Sequence, residues 1–166
     1  MPASPITAAV RYIHPGVTKF YFLTAIAAAS KQATRTELDA GTNLSPELAG
    51  TSGWSVSSNI VDTPDLETAF ISKIIGRTTA ENSTATFYMT KTGADALRSL
   101  LPRGTVGYVV ICWGGDAQNN LADTFPVTVA SAAKEVNLTS EDPARVMMSF
   151  AITAVPAIDW ALPALV

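Results

Sequence analysis

Three carboxylates, Asp62, Asp65 and Glu67, crowd the run DTPDLE. Such a cluster is the first place to look for a hard cation. That cation would need further oxygen ligands at set spacing, and the EF-hand order is missing here. Thr63-Pro64-Asp65 reads more simply as a turn or helix start, with proline at the first position and acid at the positive end. Cys112, in VGYVVICW, is the sole cysteine, and His14 is the sole histidine. A thiol nucleophile needs a histidine and an orienting partner, and this pair comes with none. Cys112 reads as a small buried hydrophobe, and a single cysteine rules out a disulfide within the chain. Trp113-Gly114-Gly115-Asp116 has two glycines but no Lys-Ser/Thr after them and no strand–loop–helix unit around them, so it is a poor phosphate cradle. Neither Gly-x-Ser-x-Gly nor His-Glu-x-x-His occurs. The sequence nominates no catalytic constellation, so no enzyme activity, cofactor or metal is expected.

The bulk properties agree with a non-catalytic role. The 166 residues are 48% hydrophobic and only 15% charged, and the net charge is −3. Ordinary domains are nearer a quarter charged. Two explanations fit: a subunit that hides much of its surface against partners, or an alanine-rich, lysine-poor composition with no such purpose. The 11 basic residues are scattered, without the stripe of a nucleic-acid binder. No run approaches the length of a membrane span, and MPASPITAAV lacks the basic start and apolar stretch of a signal peptide. The Asn82 and Asn137 sequons are therefore expected to be unused, and the protein is expected to stay in, or assemble from, a cytoplasm.

Period two dominates the chain. In TKFYFLTAI, Phe20, Phe22 and Ile26 alternate with Tyr21, Leu23 and Ala25, as in a strand covered on both faces. WSVSSNIV sets Trp54, Val56 and Ile60 against Ser55, Ser57 and Asn59, which predicts a half-buried strand. TAFISKII and STATFYMT predict two more strands, with Gly76 to Thr79 between them as a turn or bulge. Thr92 and Asp95 give a capping-box pattern, and Ala96, Leu97, Leu100 and Leu101 share a helical stripe that Pro102 and Gly104 end. A short helix over 93–101 is expected to close an end or side of the sheets. TVGYVVICW predicts a central strand buried on both faces. TFPVTVASAAKEV and RVMMSFAITAV predict a long antiparallel pair, with Val146, Met148, Phe150 and Ile152 on one face and Pro126 at an edge or bulge.

Three segments fall outside this pattern. An N-terminal arm, about 1–16, and a C-terminal arm, about 157–166, are rich in Pro and Ala yet carry Trp160, Leu162 and Leu165, which suggests docking on a neighbour. Between the first two strands lies a polar stretch of about 35–53 that reads as a long loop with a purpose. The architecture expected is a single mainly β domain over 1–166, an antiparallel β-sandwich or partly open barrel of about seven strands with one short flanking α-helix.

In order, TKFYFLTAIA, the polar TRTELDAGTNLSPELAGTSGW, IGRTTAENSTATFYM, DALRSLLPRG, TVGYVVI, DTFPVTVASAAKEVNL and RVMMSFAITAVP resemble the major tail, or tail tube, proteins of long-tailed bacteriophages, especially the non-contractile, siphovirus kind. The most specific part is Glu37-Leu38-x-Ala40-Gly41-Thr42-x-Leu44 leading to Gly53-Trp54. The resemblance implies a structural virion protein that self-assembles into hexameric rings. The inner strands would join into a barrel, and the rings would stack into a tube for DNA and the tape-measure protein, ended by terminator and distal-tail proteins. On this reading Glu37, Leu38, Asp39, Leu44, Glu47 and Leu48 meet the next ring, with Arg77 or Arg103 as partners for the acids. Trp160, Leu162 and Leu165 dock on neighbours, and Ser55, Ser57 and Asn59 are candidates for the lumen. The alternative is a β-sandwich binding module for a glycan or receptor, which would want a row of exposed aromatics.

Overall fold

The computed structural model describes residues 6–92, 96–135 and 141–164. One antiparallel sheet of eight strands carries most of them: β1 (Lys19–Leu23), β2 (Thr42–Asn43), β3 (Leu48–Ser52), β6 (Ser83–Tyr88), β7 (Val106–Cys112), β8 (Leu121–Glu135), β9 (Arg145–Ile152) and β10 (Ala157–Ala161). Its path is β2-β1-β7-β8-β9-β6-β3, with β10 also paired to β8. The two end strands, β2 and β3, are joined by one 3₁₀ turn, Ser45–Glu47, so the sheet curls back on itself. Two helices accompany it, α1 (Arg35–Ala40) and α2 (Ala96–Leu100). A separate hairpin consists of β4 (Val56–Thr63) and β5 (Ser72–Ala80). The mainly β architecture and helix α2 follow the sequence expectation, while α1 is a second helix in a stretch expected to be a loop.

Period two explains why the central strands need both faces covered. Phe22 pairs with Val109, Val109 with Phe125, and Phe20 with Ile111, so one face builds a continuous apolar layer. Ala85 pairs with Met148 and Phe87 with Val146 to extend it. Inside the curl this layer packs with Trp54, Leu97 and Leu101, so α2 contributes to the core as expected. The opposite face of β1 and β7 presents Leu23, Val110 and Cys112, and a second core forms there with Leu38, Trp160 and Leu162. Burial of Cys112 pushes its thiol up to about 12, with the nearby Asp116 charge adding to the effect, so it stays protonated and unreactive at neutral pH.

Four expectations are corrected. Pro126 lies inside β8, in register with Tyr108, and not at an edge. Its missing N–H is tolerated because β10 pairs with β8 at Thr124 and β9 begins pairing at Val127, so no ladder bond is due at Pro126 on that side. Its carbonyl accepts from Thr153 N–H at 2.9 Å where the chain turns from β9 to β10. The C-terminal segment is a strand and not a free arm: Trp160 pairs with Ala122 and is buried, its indole N–H donating to Thr124 at 3.0 Å. The stretch 35–53 is ordered secondary structure throughout much of its length. The strand expected to be half-buried, Val56–Thr63, is exposed along almost all of its length. Gly76–Thr79, expected as a turn or bulge between a strand over 68–75 and the next, lies inside β5, which begins at Ser72 and runs on to Ala80; a bulge is present there, since Ser58 pairs with Thr78 but Ile60 with Ile75, so β5 carries one extra residue opposite Asn59. Asp95 and the Asn137 sequon lie outside the described residues.

Candidate functional site

The β4–β5 hairpin is the part of the molecule most plainly built for something other than its own core. Its cross-strand pairs fix two faces. One carries Val56/Ala80, Ser58/Thr78, Ile60/Ile75 and Asp62/Lys73; the other carries Ser57/Thr79, Val61/Ile74 and Thr63/Ser72. Each face therefore has an apolar pair framed by hydroxyls or an ion pair. Hydroxyl bonds hold Ser58 to Thr78 at 3.0 Å and Thr63 to Ser72 at 2.7 Å, and Lys73 pairs with Asp62. Beyond the strands, Leu66 is fully exposed and Phe70 is 78% exposed. Ile60, Ile74 and Ile75 are exposed as well. An isolated two-stranded ribbon with apolar side chains on both faces is marginal in water and gains from a partner.

The root of the hairpin is rigid. Gly53 has φ 76°, and a Cβ there would fall 2.1 Å from the Asn82 carbonyl oxygen. Its carbonyl accepts from Ser83 Oγ at 2.8 Å, tying the entry of the hairpin to its exit. Trp54 then drops into the core edge-on to Phe20 and Phe125, with its indole N–H donating to the Thr84 carbonyl at 3.1 Å.

The stretch 35–53 is positioned very differently from what its polarity suggests. Thr34 caps α1, and Glu37 completes a capping box while also accepting from Ala27 N–H at 2.7 Å. These N–H bonds from Ala27 and Thr34 hold the Glu37 carboxyl below its usual range. Leu38, 2% exposed, and Leu44, 3% exposed, are core residues of their own chain and not anchors for a partner, and Leu48 packs partly against the first core. Gly41 leaves room for Leu23, whose side chain would meet a Cβ there at 3.0 Å. Arg35 makes a two-pronged pair with Asp116 at 2.5 and 2.9 Å and also holds Asp39 at 2.7 Å. Tyr21 OH donates to the same Asp116 at 2.8 Å. Burial pushes the Asp116 carboxyl upward, but the Arg35 and Tyr21 bonds outweigh it and hold it below the usual carboxylate range. The same burial and the same carboxylate raise the Tyr21 phenol.

The remaining sequence candidates scatter. Glu47 is exposed at the end of the 3₁₀ turn, Arg77 is exposed on the bulge of β5, and Arg103 is exposed in the turn before β7. Neither arginine forms an ion pair with Glu37, Asp39 or Glu47 within the chain. Trp160 and Leu162 are buried against β8 and the second core, so they are not on offer to a neighbour; Leu165 lies outside the described residues. Ser55, Ser57 and Asn59 are exposed at the root and bulge of the hairpin, where Ser57 bonds Glu81 at 3.1 Å. Asp62 pairs with Lys73, and Asp65 accepts from the turn N–H groups of Glu67 and Thr68. The tryptophans form no exposed row: Trp54 and Trp160 are buried, and Trp113 donates to Asp123 at 2.7 Å.

Residues 6–165 match the model of the phage tail tube protein family. The chain belongs to that family. The family fits the fold just described, and it makes the role structural. Among solved structures, the chain is similar to the sheath/tube terminator of an extracellular contractile injection system, with TM-score 0.62 and 11% identity over 89% of this chain and 96% of that one. It is also similar to a chain of the extended sheath–tube complex of such a system, with TM-score 0.57 and 15% identity over 85% and 88%. A third neighbour is the tube-terminating cap of the anti-feeding prophage, with TM-score 0.57 and 15% identity over 90% and 93%. A comparison with curated proteins finds no match. At these identities the neighbours speak to the fold, which agrees with the family.

Proposed function

We propose that this chain is the repeating subunit of a tail tube, one tail-tube-like unit per chain. Copies close into hexameric rings, and the rings stack into the conduit through which DNA leaves the virion for the host. The observation that carries this reading is the β4–β5 hairpin, which exposes Ile60, Val61, Ile74 and Ile75 across both faces and, among the described residues, has no further strand on either edge. Such an edge is an aggregation hazard unless another copy pairs with it or covers it, and a closed ring does that for every subunit at once. The net charge of −3 supports a conduit that does not grip DNA, because tight binding would need basic groups to displace the counterions of the duplex. Ser55, Ser57 and Asn59 remain the lumen candidates: exposed, neutral and hydrogen-bonding.

The partners in this reading are further copies of the chain, a tape-measure protein inside the tube, and terminator and distal-tail proteins at its ends. The terminator and cap among the fold neighbours support the last of these. The non-contractile form follows the sequence resemblance, and synthesis and assembly belong to the host cytoplasm. Electron microscopy and native mass spectrometry of the purified protein test the proposal. Sixfold rings or tubes are expected; a stable monomer or a dominant dimer at high concentration counts against it.

A further inference from the structure

The tip of the hairpin is a finished surface and not a slack turn. Asp65 accepts from Glu67 N–H at 2.9 Å, Thr68 N–H at 2.8 Å and Thr68 Oγ1 at 3.1 Å. The exposed Leu66 and Phe70 stand beside a carboxylate, Glu67, that has no ion-pair partner among the described residues. Elsewhere, a groove of about 420 Å³ opens between the α2–β7 connection and the β8–β9 pair. Pro102, Ser131 and Ala132 line it with the exposed Arg98 and Arg103, and the buried Leu101 and Met148 back it. Neither arginine has an ion-pair partner among the described residues. β8 bulges beside it, between Val129 and Ser131.

We infer that the Leu66–Phe70 tip of one copy seats in the Arg98/Arg103 groove of another copy, with Glu67 meeting the arginines. This rests on the reading that the chain self-assembles, and it names the contact. Apolar anchors and a carboxylate on one surface meet a groove lined by Pro102 and Ala132 and two guanidinium groups on the other, and among the described residues none of the three charges has an ion-pair partner. The tip is not placed to use its own groove. The groove lies near the hairpin's root, since Gly104 bonds Val129, Val129 pairs with Phe150, and Phe150 pairs with Ser83 just after the hairpin. The tip lies a full strand away, about 26 Å at roughly 3.3 Å per residue. Two different surfaces that fit each other make a head-to-tail contact, which propagates from copy to copy and does not close a pair.

The test is charge exchange, scored by tube yield in electron microscopy with circular dichroism as the folding control. Glu67→Lys leaves the Asp65 turn intact and should cut yield at least about tenfold, as should Arg98→Glu/Arg103→Glu. The two changes combined in one chain should restore tubes. Arg98→Gln/Arg103→Gln should fall between wild type and reversal. Undiminished tubes from either reversal alone, or no recovery in the combined variant, overturn the contact while leaving the assembly reading intact. A wild-type chain that forms neither rings nor tubes overturns both.

Discussion

The stretch 35–53 and the hairpin 56–80 are neighbours in the chain and opposites in design. The first is polar, broken by Gly41 and Pro46, and looks like a loop; it holds Leu38 and Leu44 in the two cores of the sheet. The second alternates like an ordinary half-buried strand pair; it leaves Ile60, Ile74 and Ile75 in solvent. What separates them is anchoring. The stretch 35–53 is tied to the body along its length: Glu37 accepts from Ala27 N–H at 2.7 Å, Arg35 pairs with Asp116, Leu44 N–H donates to the Phe20 carbonyl at 2.8 Å, and Phe20 N–H donates to Ser45 Oγ at 2.8 Å. Among the described residues, the hairpin is tied to the body at its root. Apolar residues on a tethered segment are drawn into the core, while the same residues on a projecting ribbon are available to a partner.

The largest test of this contrast is on the tethered side. Leu38→Ser with Leu44→Ser should unfold the subunit, since each buried leucine lost costs roughly 2–5 kcal/mol and a whole domain holds about 5–15. Urea denaturation followed by circular dichroism measures it. A double variant that melts like wild type while failing to assemble would return these leucines to the surface and collapse the contrast.

A smaller effect is expected at the clasp. Asp116→Asn should cost about 1.5–3 kcal/mol at pH 7, because a charge-assisted pair with Arg35 is lost. The sign with pH follows from the depressed carboxyl: its contribution is present above the unfolded value of about 3.9 and disappears as pH falls through the lower folded value. Wild type and variant should therefore differ at pH 7 and converge as pH falls through that lowered folded value. A gap in urea midpoint that persists undiminished into acid would mean that the side chain matters for shape and not for charge.

The sequence made one side of this comparison readable and hid the other. β1, β7 and the β8–β9 pair were legible because both parities of Phe20–Leu23 and Val109–Cys112 are apolar, a pattern that only a doubly covered strand uses. Pairing partners far apart leave no local mark, so nothing near Arg35 announces Asp116. The Thr34-x-x-Glu37 capping box was there to be seen and would have converted the supposed loop into a helix start. Likewise the i, i+2 spacing of Trp160 and Leu162 is strand spacing. The hairpin is hidden in the sequence for a physical reason: alternation says that an apolar face exists, and it carries no information on whether the cover belongs to this chain.

The smallest effect on stability should come from the hairpin itself, and it is the most informative. Ile60 and Ile75 are directly paired on one face of the ribbon and exposed, at 64% and 79%. Replacing both by Ser removes apolar surface that the isolated subunit leaves in water, so the folded monomer loses nothing from its core. The expected change in unfolding free energy is within about 0.5 kcal/mol for each site, the range of surface substitutions without a buried partner. The same change should abolish or sharply reduce rings and tubes, because serine offers a neighbouring copy no apolar area and lowers the strand preference of the ribbon. Stability and assembly thus separate here, where in 35–53 they fall together. A double variant that assembled at wild-type yield would show that the exposed isoleucines are idle, and the hairpin would lose its claim to be the assembly surface.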